Sequence, residues 1–354
     1  MPNTQFELPT LVLQEQNFSS DFVFWLLTLR DDSVALHGLD VKHLGFIRYY
    51  ILERVVNYAV SHNVQRLGLT VICDNEHVPQ CIFSCQTLTS LKLTVHTKSY
   101  FSENTLFPKS LNLPALTSLH IGHFAFRANG NDRAEPFSSL NRLNSLIIQN
   151  CTLSDAHILY ISSATLTNLT VHNHTRDLYS IELSSPNLSS FSFTGVPLQQ
   201  LSGSNLSSLE QVNIDAEIRS VDEANVDLET SLNYPTCPLI LLSWLVELTN
   251  IKSLTVSART LQVLFLIPHL LELKLTSLSS LKSLKVKQVP LSPSFISILR
   301  TAKLRRATTK TRKAIAKLKR AIKEEMSTSI PDGVVDFLLQ NSPSAKVDII
   351  DCTR

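Results

Sequence analysis

LNSLIIQNCTL, residues Leu143 to Leu153, sets apolar side chains at Leu143, Leu146, Ile148 and Leu153 and a small cysteine at Cys151, which is the spacing LxxLxLxxCxL. One such segment carries little weight, because leucine is common. Its inner spacing, however, returns as Leu36-Leu39-Val41, Val64-Leu67-Leu69, Leu88-Leu91-Leu93 and Leu116-Leu119-Ile121, and after it as Leu166-Leu169-Val171, Leu188-Phe191-Phe193 and Leu209-Val212-Ile214. Two further copies are Ile251-Leu254-Val256 and Leu281-Leu284-Val286. The second apolar residue of the copies falls at 39, 67, 91, 119, 146, 169, 191 and 212, at intervals of 28, 24, 28, 27, 23, 22 and 21 residues.

Intervals of that size around that spacing are those of a leucine-rich repeat. Alternation of apolar and polar residues over each copy predicts a short strand with one face inward, and the residues up to the next copy return the chain by one step. No copy closes a core alone, so stacking must supply it. The predicted fold class is α/β: a leucine-rich-repeat solenoid (horseshoe) with a parallel sheet on the concave face, helices and loops on the convex face, and an α/β C-terminal cap. The segments expected are an N-terminal lead-in at 1–33, the solenoid at 34–290, a basic amphipathic helix at 291–326 and the cap at 327–354.

The return after the first strand predicts a helix over Tyr50 to His62, with Leu52, Val55, Val56, Ala59 and Val60 on one side. Leu239 to Leu248 reads as a second helix, with Leu242, Leu245 and Leu248 at helical spacing. Asn-Gly and a proline in RANGNDRAEP, between Phe126 and Phe137, mark an inserted surface loop. Glu217 to Pro238 is an acidic insertion that lengthens the step from Val212 to Leu254 to 42 residues. Ser20 or Asp21 is expected to cap a short helix carrying Phe22, Val23, Leu26, Leu27 and Leu29. Near the C-terminus, Asp332 is expected to cap a helix with Val334, Val335, Phe337, Leu338 and Leu339, and Val347 to Ile350 to return as a strand.

Apolar residues make up 44% of the 354 and charged residues 18%, enough core for one elongated domain and too little charge for disorder. No apolar run reaches the roughly 18 residues of a membrane span. The N-terminus MPNTQFELPT lacks a basic region followed by an apolar run, so a signal peptide is not expected. The six cysteines follow no framework spacing, and a reduced protein of the cytoplasm and/or nucleus is expected. Six N-x-S/T triplets, several inside the repeat wording, are read as unmodified repeat residues.

Charge is unevenly placed. Arg300 to Lys323 holds eleven Lys and Arg and no acid, which leaves 21 bases against 30 acids elsewhere, a net of minus nine. Leu304, Ala307, Thr311, Ile315, Leu318 and Ile322 run through it as a narrow apolar stripe, so a solvated amphipathic helix is expected. Nuclear localisation or contact with nucleic acid or an acidic partner is the competing reading. No aromatic residue interleaves the run, which argues against single-stranded nucleic acid.

Chemistry-bearing motifs are missing. The sequence contains no GxGxxG, Walker-type loop, GxSxG or HExxH. His77, Cys81 and Cys85 are spaced by four, but Pro79 interrupts the turn that would align them, so no metal is expected there. His172 and His174 read as core or edge residues of a strand. No cofactor and no catalytic constellation is predicted. The informative polar residues are those alternating with the inward leucines, and they should share the concave face, where solenoids bind partners. The candidate partner-binding set is Lys92, Thr94, His120, Gln149, Thr170, His172, Ser192, Thr194, Asn213 and Asp215.

LPTLVL at 8–13, LRDDSVALHGLD at 29–40, LLSWL at 241–245, TLQVLFLIPHL at 260–270 and IPDGVVDFLLQNSPSAKVDII at 330–350 together resemble the plant F-box/leucine-rich-repeat proteins, the last phrase their FBD-like C-terminal region. The resemblance implies a non-catalytic substrate receptor of a Skp-cullin-F-box (SCF) ubiquitin ligase, whose repeats hold the target protein. It also implies an F-box ahead of LPTLVL, and this chain begins seven residues before that motif. Residues 1–33 are therefore expected to be a remnant that follows a missing F-box, with Skp-type adaptor and cullin as partners only where an upstream F-box exists. The alternative is an F-box-less decoy or scaffold that binds the target without ubiquitination. No membrane partner is expected.

Overall fold

Strands form where apolar and polar residues alternate, and the alternation survives as burial: Arg66–Cys73 runs exposed, buried, half-buried, buried to its end. The computed structural model describes residues 10–15, 36–73, 78–97, 104–175, 177–204, 206–218, 233–291, 295–297, 299 and 330–352. The fold is mixed α/β, dominated by parallel sheet with few helices among the described residues. It divides into two compact units, Met1–Leu169 and Thr170–Arg354.

In the first unit the elements run β1 (Thr10–Glu15), β2 (Gly38–Phe46), α1 (Tyr49–Ser61), β3 (Arg66–Cys73), β4 (Ser90–Thr97), β5 (Thr105–Leu106), β6 (Ser118–Gly122), β7 (Phe124–Arg127), β8 (Arg133–Ala134), β9 (Ser145–Gln149), β10 (Thr152–Ser154) and β11 (Ile158–Ser162). Strands β1, β2, β3, β4, β6 and β9 pair side by side, all parallel. Register aligns Leu39, Leu67, Leu91, Leu119 and Leu146 in one row, and Val41, Leu69, Leu93, Ile121 and Ile148 in the next. All ten are buried. Helix α1 covers the first step with Leu52, Val55, Val56 and Ala59.

The returns differ from the expected helices and loops. Between β4 and β11 they are mostly short strands: β5, β7 and β10 form a three-stranded sheet, and β8 pairs with β11. The physical reason is local: FAFR at β7 and ILYIS at β11 alternate and are rich in aromatic and β-branched residues, and the steps are too short to nucleate a helix of useful length. Phe107 fills the space inside, meeting Phe83, Phe124 and Phe126 edge to face at 5.5–5.8 Å.

A threonine row ties successive steps together. Thr89 donates its hydroxyl to the Gln65 carbonyl at 3.0 Å, Thr117 to Thr89 at 3.0 Å and Thr167 to Asn144 at 3.1 Å. Each sits in the phrase Leu-Thr-Ser or Leu-Thr-Asn just before a strand, where a bare carbonyl would otherwise face water or the next turn.

The second unit continues with β12 (Asn168–Asn173, begun in the first unit), β13 (Ser180–Ser184), β14 (Ser190–Gly195), β15 (Gln200–Ser204), β16 (Gln211–Ala216), α2 (Asn233–Glu247), β17 (Ser253–Ser257), α3 (Ala258–Leu264), β18 (Ser283–Gln288), α4 (Val334–Leu338) and β19 (Lys346–Asp351). Its sheet order is β12, β14, β16, β17, β18, β19, while β13 pairs with β15. Phe193, Ile214, Val256, Val286 and Ile349 share a register row.

Helix α2 begins at Asn233 and carries Pro238 inside it, so the expected start at Leu239 is six residues late. Its buried stripe is Leu241, Trp244, Leu245 and Leu248, whereas Leu242, expected on that face, is only partly covered. Trp244 decides the rotation. Its ring packs edge to face on Phe193 at 4.6 Å, and its indole N–H donates to the Gln199 carbonyl at 2.9 Å. Helix α3 is capped by Ser257, whose hydroxyl accepts from the Thr260 amide.

At the C-terminus, Gly333 with φ +74° precedes α4 and no side chain caps it, so Asp332 is not the cap. Buried Val334, Phe337 and Leu338 settle α4, while Gln340 and Asn341 donate to the carbonyls of Leu273 and Ser277 at 3.1 and 2.9 Å. Strand β19 extends the sheet parallel to β18, yet Val347 and Ile349, in register with buried Leu284 and Val286, are exposed. The expected helix at Phe22 to Leu29, the basic helix at 300–323, the acidic residues at 222–229 and His77 lie outside the described residues.

Candidate functional site

Residues that alternate with the inward rows stand on the opposite face of the sheet, and register sets their neighbours. In the first unit Lys92 lies between Gly68 and His120, Thr94 between Thr70 and Gly122, and Gln149 beside Gly122. His120 and Gln149 meet diagonally, Nε2 to Oε1 at 3.1 Å. Thr94 presents little surface: at 4% exposure it lies over Gly122, where an added Cβ would stand 3.0 Å from its methyl. A missing side chain opposite lets a small one fold down, so this candidate contributes packing rather than contact surface.

At the far end of the same strands, His96 and His123 bring their rings to 4.2 Å. Burial, and then the neighbouring His96, push the His123 imidazole down to about 4, and burial lowers His96 as well. Both are neutral near pH 7.

In the second unit Thr170 and His172 on β12 are half-buried, and burial followed by the nearby His174 lowers the His172 imidazole. Ser192, Thr194, Asn213 and Asp215 stand on β14 and β16 in matched pairs, Ser192 opposite Asn213 and Thr194 opposite Asp215. Asp215 is not a bare charge. Arg259, from α3, reaches its carboxylate at 2.6 Å and Glu217 at 3.2 Å, and Glu217 also lies 3.3 Å from His174 Nδ1.

Ser192 and Asn213 line one open depression of about 390 Å³, together with Thr255, Lys285 and Lys287. The two lysines were absent from the candidate set. Their signal was present: they alternate with Leu284 and Val286 in a copy of the repeat already recognised. The structure therefore gathers Ser192 and Asn213 with new partners, sets Thr194 and Asp215 beside them on the same strands, and in the first unit joins His120 to Gln149.

Burial pushes the Cys151 and Cys237 thiols up to about 12, which leaves both protonated. Cys81 donates to Asn57 at 3.1 Å and Cys85 lies 3.4 Å from Thr87. Among the described residues no three His, Cys, Asp or Glu side chains are grouped to hold a metal ion, and no helix is long and apolar enough to cross a membrane.

What remains is a polar sheet face over a leucine core. The chain is similar to plant F-box/LRR-repeat proteins. It is 25% identical over 247 residues to F-box/LRR-repeat protein At4g14096 of Arabidopsis thaliana, covering 69% of this chain and 50% of that protein. Against F-box/LRR-repeat protein At4g14103 of the same plant the identity is 26% over 247 residues, covering 69% of this chain and 63% of that protein. The chain thus spans about half to three fifths of the length of these relatives. No protein-family profile matches it, and no solved structure does. The kinship is distant, and it agrees with the parallel sheet built on leucine-rich steps.

Proposed function

We propose that this chain is a non-catalytic protein-interaction module resembling the substrate-recognition part of an SCF ubiquitin ligase, binding a target protein on the polar face of its repeat sheet, the concave face of a horseshoe-shaped solenoid. The observation that carries the reading is the row of half-exposed polar residues in fixed register, joined to the similarity with two F-box/LRR-repeat proteins. A regular strand spacing of about 4.8 Å turns such a row into a rigid template, so that binding costs little ordering of the receptor. In this reading a Skp-type adaptor and cullin join through an F-box, chemistry belongs to other subunits, and the site of action is the cytoplasm and/or nucleus.

The test is affinity capture from plant extract with the wild-type chain and with Ser192→Arg/Asn213→Arg, followed by detection of ubiquitin on the captured proteins under proteasome inhibition. A protein held by the wild type, lost by the variant and ubiquitinated in step with the chain supports the reading. Identical capture by both proteins overturns it. Capture that depends on the face without ubiquitination assigns the chain to the decoy or scaffold role.

A further inference from the structure

Charge on the second unit's sheet face is unevenly compensated. Its acids are engaged: Arg259 holds Asp215 at 2.6 Å and Glu217 at 3.2 Å, Lys252 pairs with Glu210, and Lys346 lies 3.0 Å from Asp348. Lys285 and Lys287 are different. They project two residues apart from β18 into the depression of about 390 Å³, whose remaining lining is mostly hydroxyls and amides from Ser192, Asn213, Ser253 and Thr255. Register places Thr255 beside Lys285, Asp348 on its other side, and Ile350 beside Lys287. With Asp348 paired to Lys346, Lys285 and Lys287 leave the depression with an excess of positive charge, ringed by neutral hydrogen-bonding groups.

We infer that this depression receives an acidic segment of a protein partner, with its carboxylates on Lys285 and Lys287 and its backbone on Ser192, Asn213 and Thr255. The inference rests on the proposed target-binding role of this face and names the chemistry of the target. Three physical points support it. The lysines stand on a strand whose inward residues Leu284 and Val286 are buried, so their backbone positions are fixed. Ammonium groups at alternate strand positions are about 6–7 Å apart along the chain, the spacing of alternate side chains on an extended acidic peptide. Hydroxyls and amides of the lining offer donors to carboxylates and acceptors to amides, and the neighbouring carboxylate, Asp348, is paired with Lys346.

The test uses a short Glu/Asp-rich peptide bearing a photo-cross-linker, its Gln/Asn counterpart, and a phosphoserine peptide of the same length, each with the full chain. Expected are cross-links to strands within 190–215 and 253–287, weak binding of the Gln/Asn peptide, and about tenfold weaker binding of the acidic peptide to Lys285→Glu/Lys287→Glu, equivalent to about 1.4 kcal/mol. Lys285→Gln/Lys287→Gln, which leaves the strand uncharged, is expected to fall between the two, and circular dichroism checks that both variants fold. Cross-links confined to the basic run at 300–323, equal binding of the acidic and neutral peptides, or binding of the phosphoserine peptide alone overturn the inference. Loss of target capture in Ser192→Arg/Asn213→Arg but not in Lys285→Glu/Lys287→Glu would sink the acidic partner and leave the face reading intact. Retained capture in both would remove the two together.

Discussion

Gly195 is where one atom decides the most. Its φ is +123°, and a Cβ there would stand 1.9 Å from the Asn173 carbonyl oxygen, which already accepts from the Val196 amide at 2.7 Å. Gly195→Ala must move backbone, and a loss of more than about 2 kcal/mol is expected in urea unfolding. Asn173 itself is buried and donates to Gln199 at 2.8 Å, while Gln199 donates to the Asp177 carbonyl at 2.9 Å. The repeat wording places its inward polar residue at His174, one position later; the structure buries Asn173 there and leaves His174 half-exposed. Residues His123 and Asn150, with φ of +62° and +49°, make the complementary shift in the first unit by breaking the alternation so that Phe124 and Cys151 turn inward. His123 also sets a pH dependence. Its folded pKa, about 4, lies below the ordinary histidine value, so the unfolded chain takes up the proton first on acidification. Its contribution is complete above about pH 6.5 and is lost as pH falls toward 4. The urea midpoint of His123→Gln should therefore fall less between those pH values than that of the wild type.

Among the elements, α2 is anchored to the sheet of its unit by a single aromatic side chain. Trp244 touches Phe191 and Phe193 and closes the Gln199 carbonyl, so the helix is oriented by one side chain rather than by its leucine count. Phe193→Ala is expected to cost about 3–5 kcal/mol and to broaden the near-ultraviolet signal of Trp244. Arg259 links α3 to the end of β16 by charge. Arg259→Ala would leave Asp215 and Glu217, both half-buried carboxylates, without their common cation, and a loss of about 1–3 kcal/mol is expected, read as a lower melting temperature. The strands that carry the repeat spacing, α1 and the presence of α2, though not its start or rotation, were legible because hydrophobic spacing marks them. The return strands between β4 and β11 were not, since a run such as FAFR is compatible with strand or loop until a neighbouring return pairs with it.

For the whole molecule, the decisive asymmetry is electrostatic. The total of +2 hides eleven cations at 300–323 against minus nine elsewhere. Removal of that run should carry the protein from a basic isoelectric point to an acidic one, and isoelectric focusing reads the change directly. Leucine spacing, the period of 21 to 28 residues and the resulting parallel strands were determined by the sequence alone, because burial of a repeated apolar face admits one stacking direction and one inward parity. The candidate face was legible to the same extent, as the residues of opposite parity. Tertiary structure alone decided how exposed and how charged each of them is. Thr94 folds down because Gly122 opposite is bare, Asp215 is neutralised by an arginine 44 positions later, and Lys285 and Lys287 are left over a depression that β14 and β16 complete. Spacing records where a side chain points, whereas its exposure and its charge depend on neighbours that are adjacent only once the strands have paired.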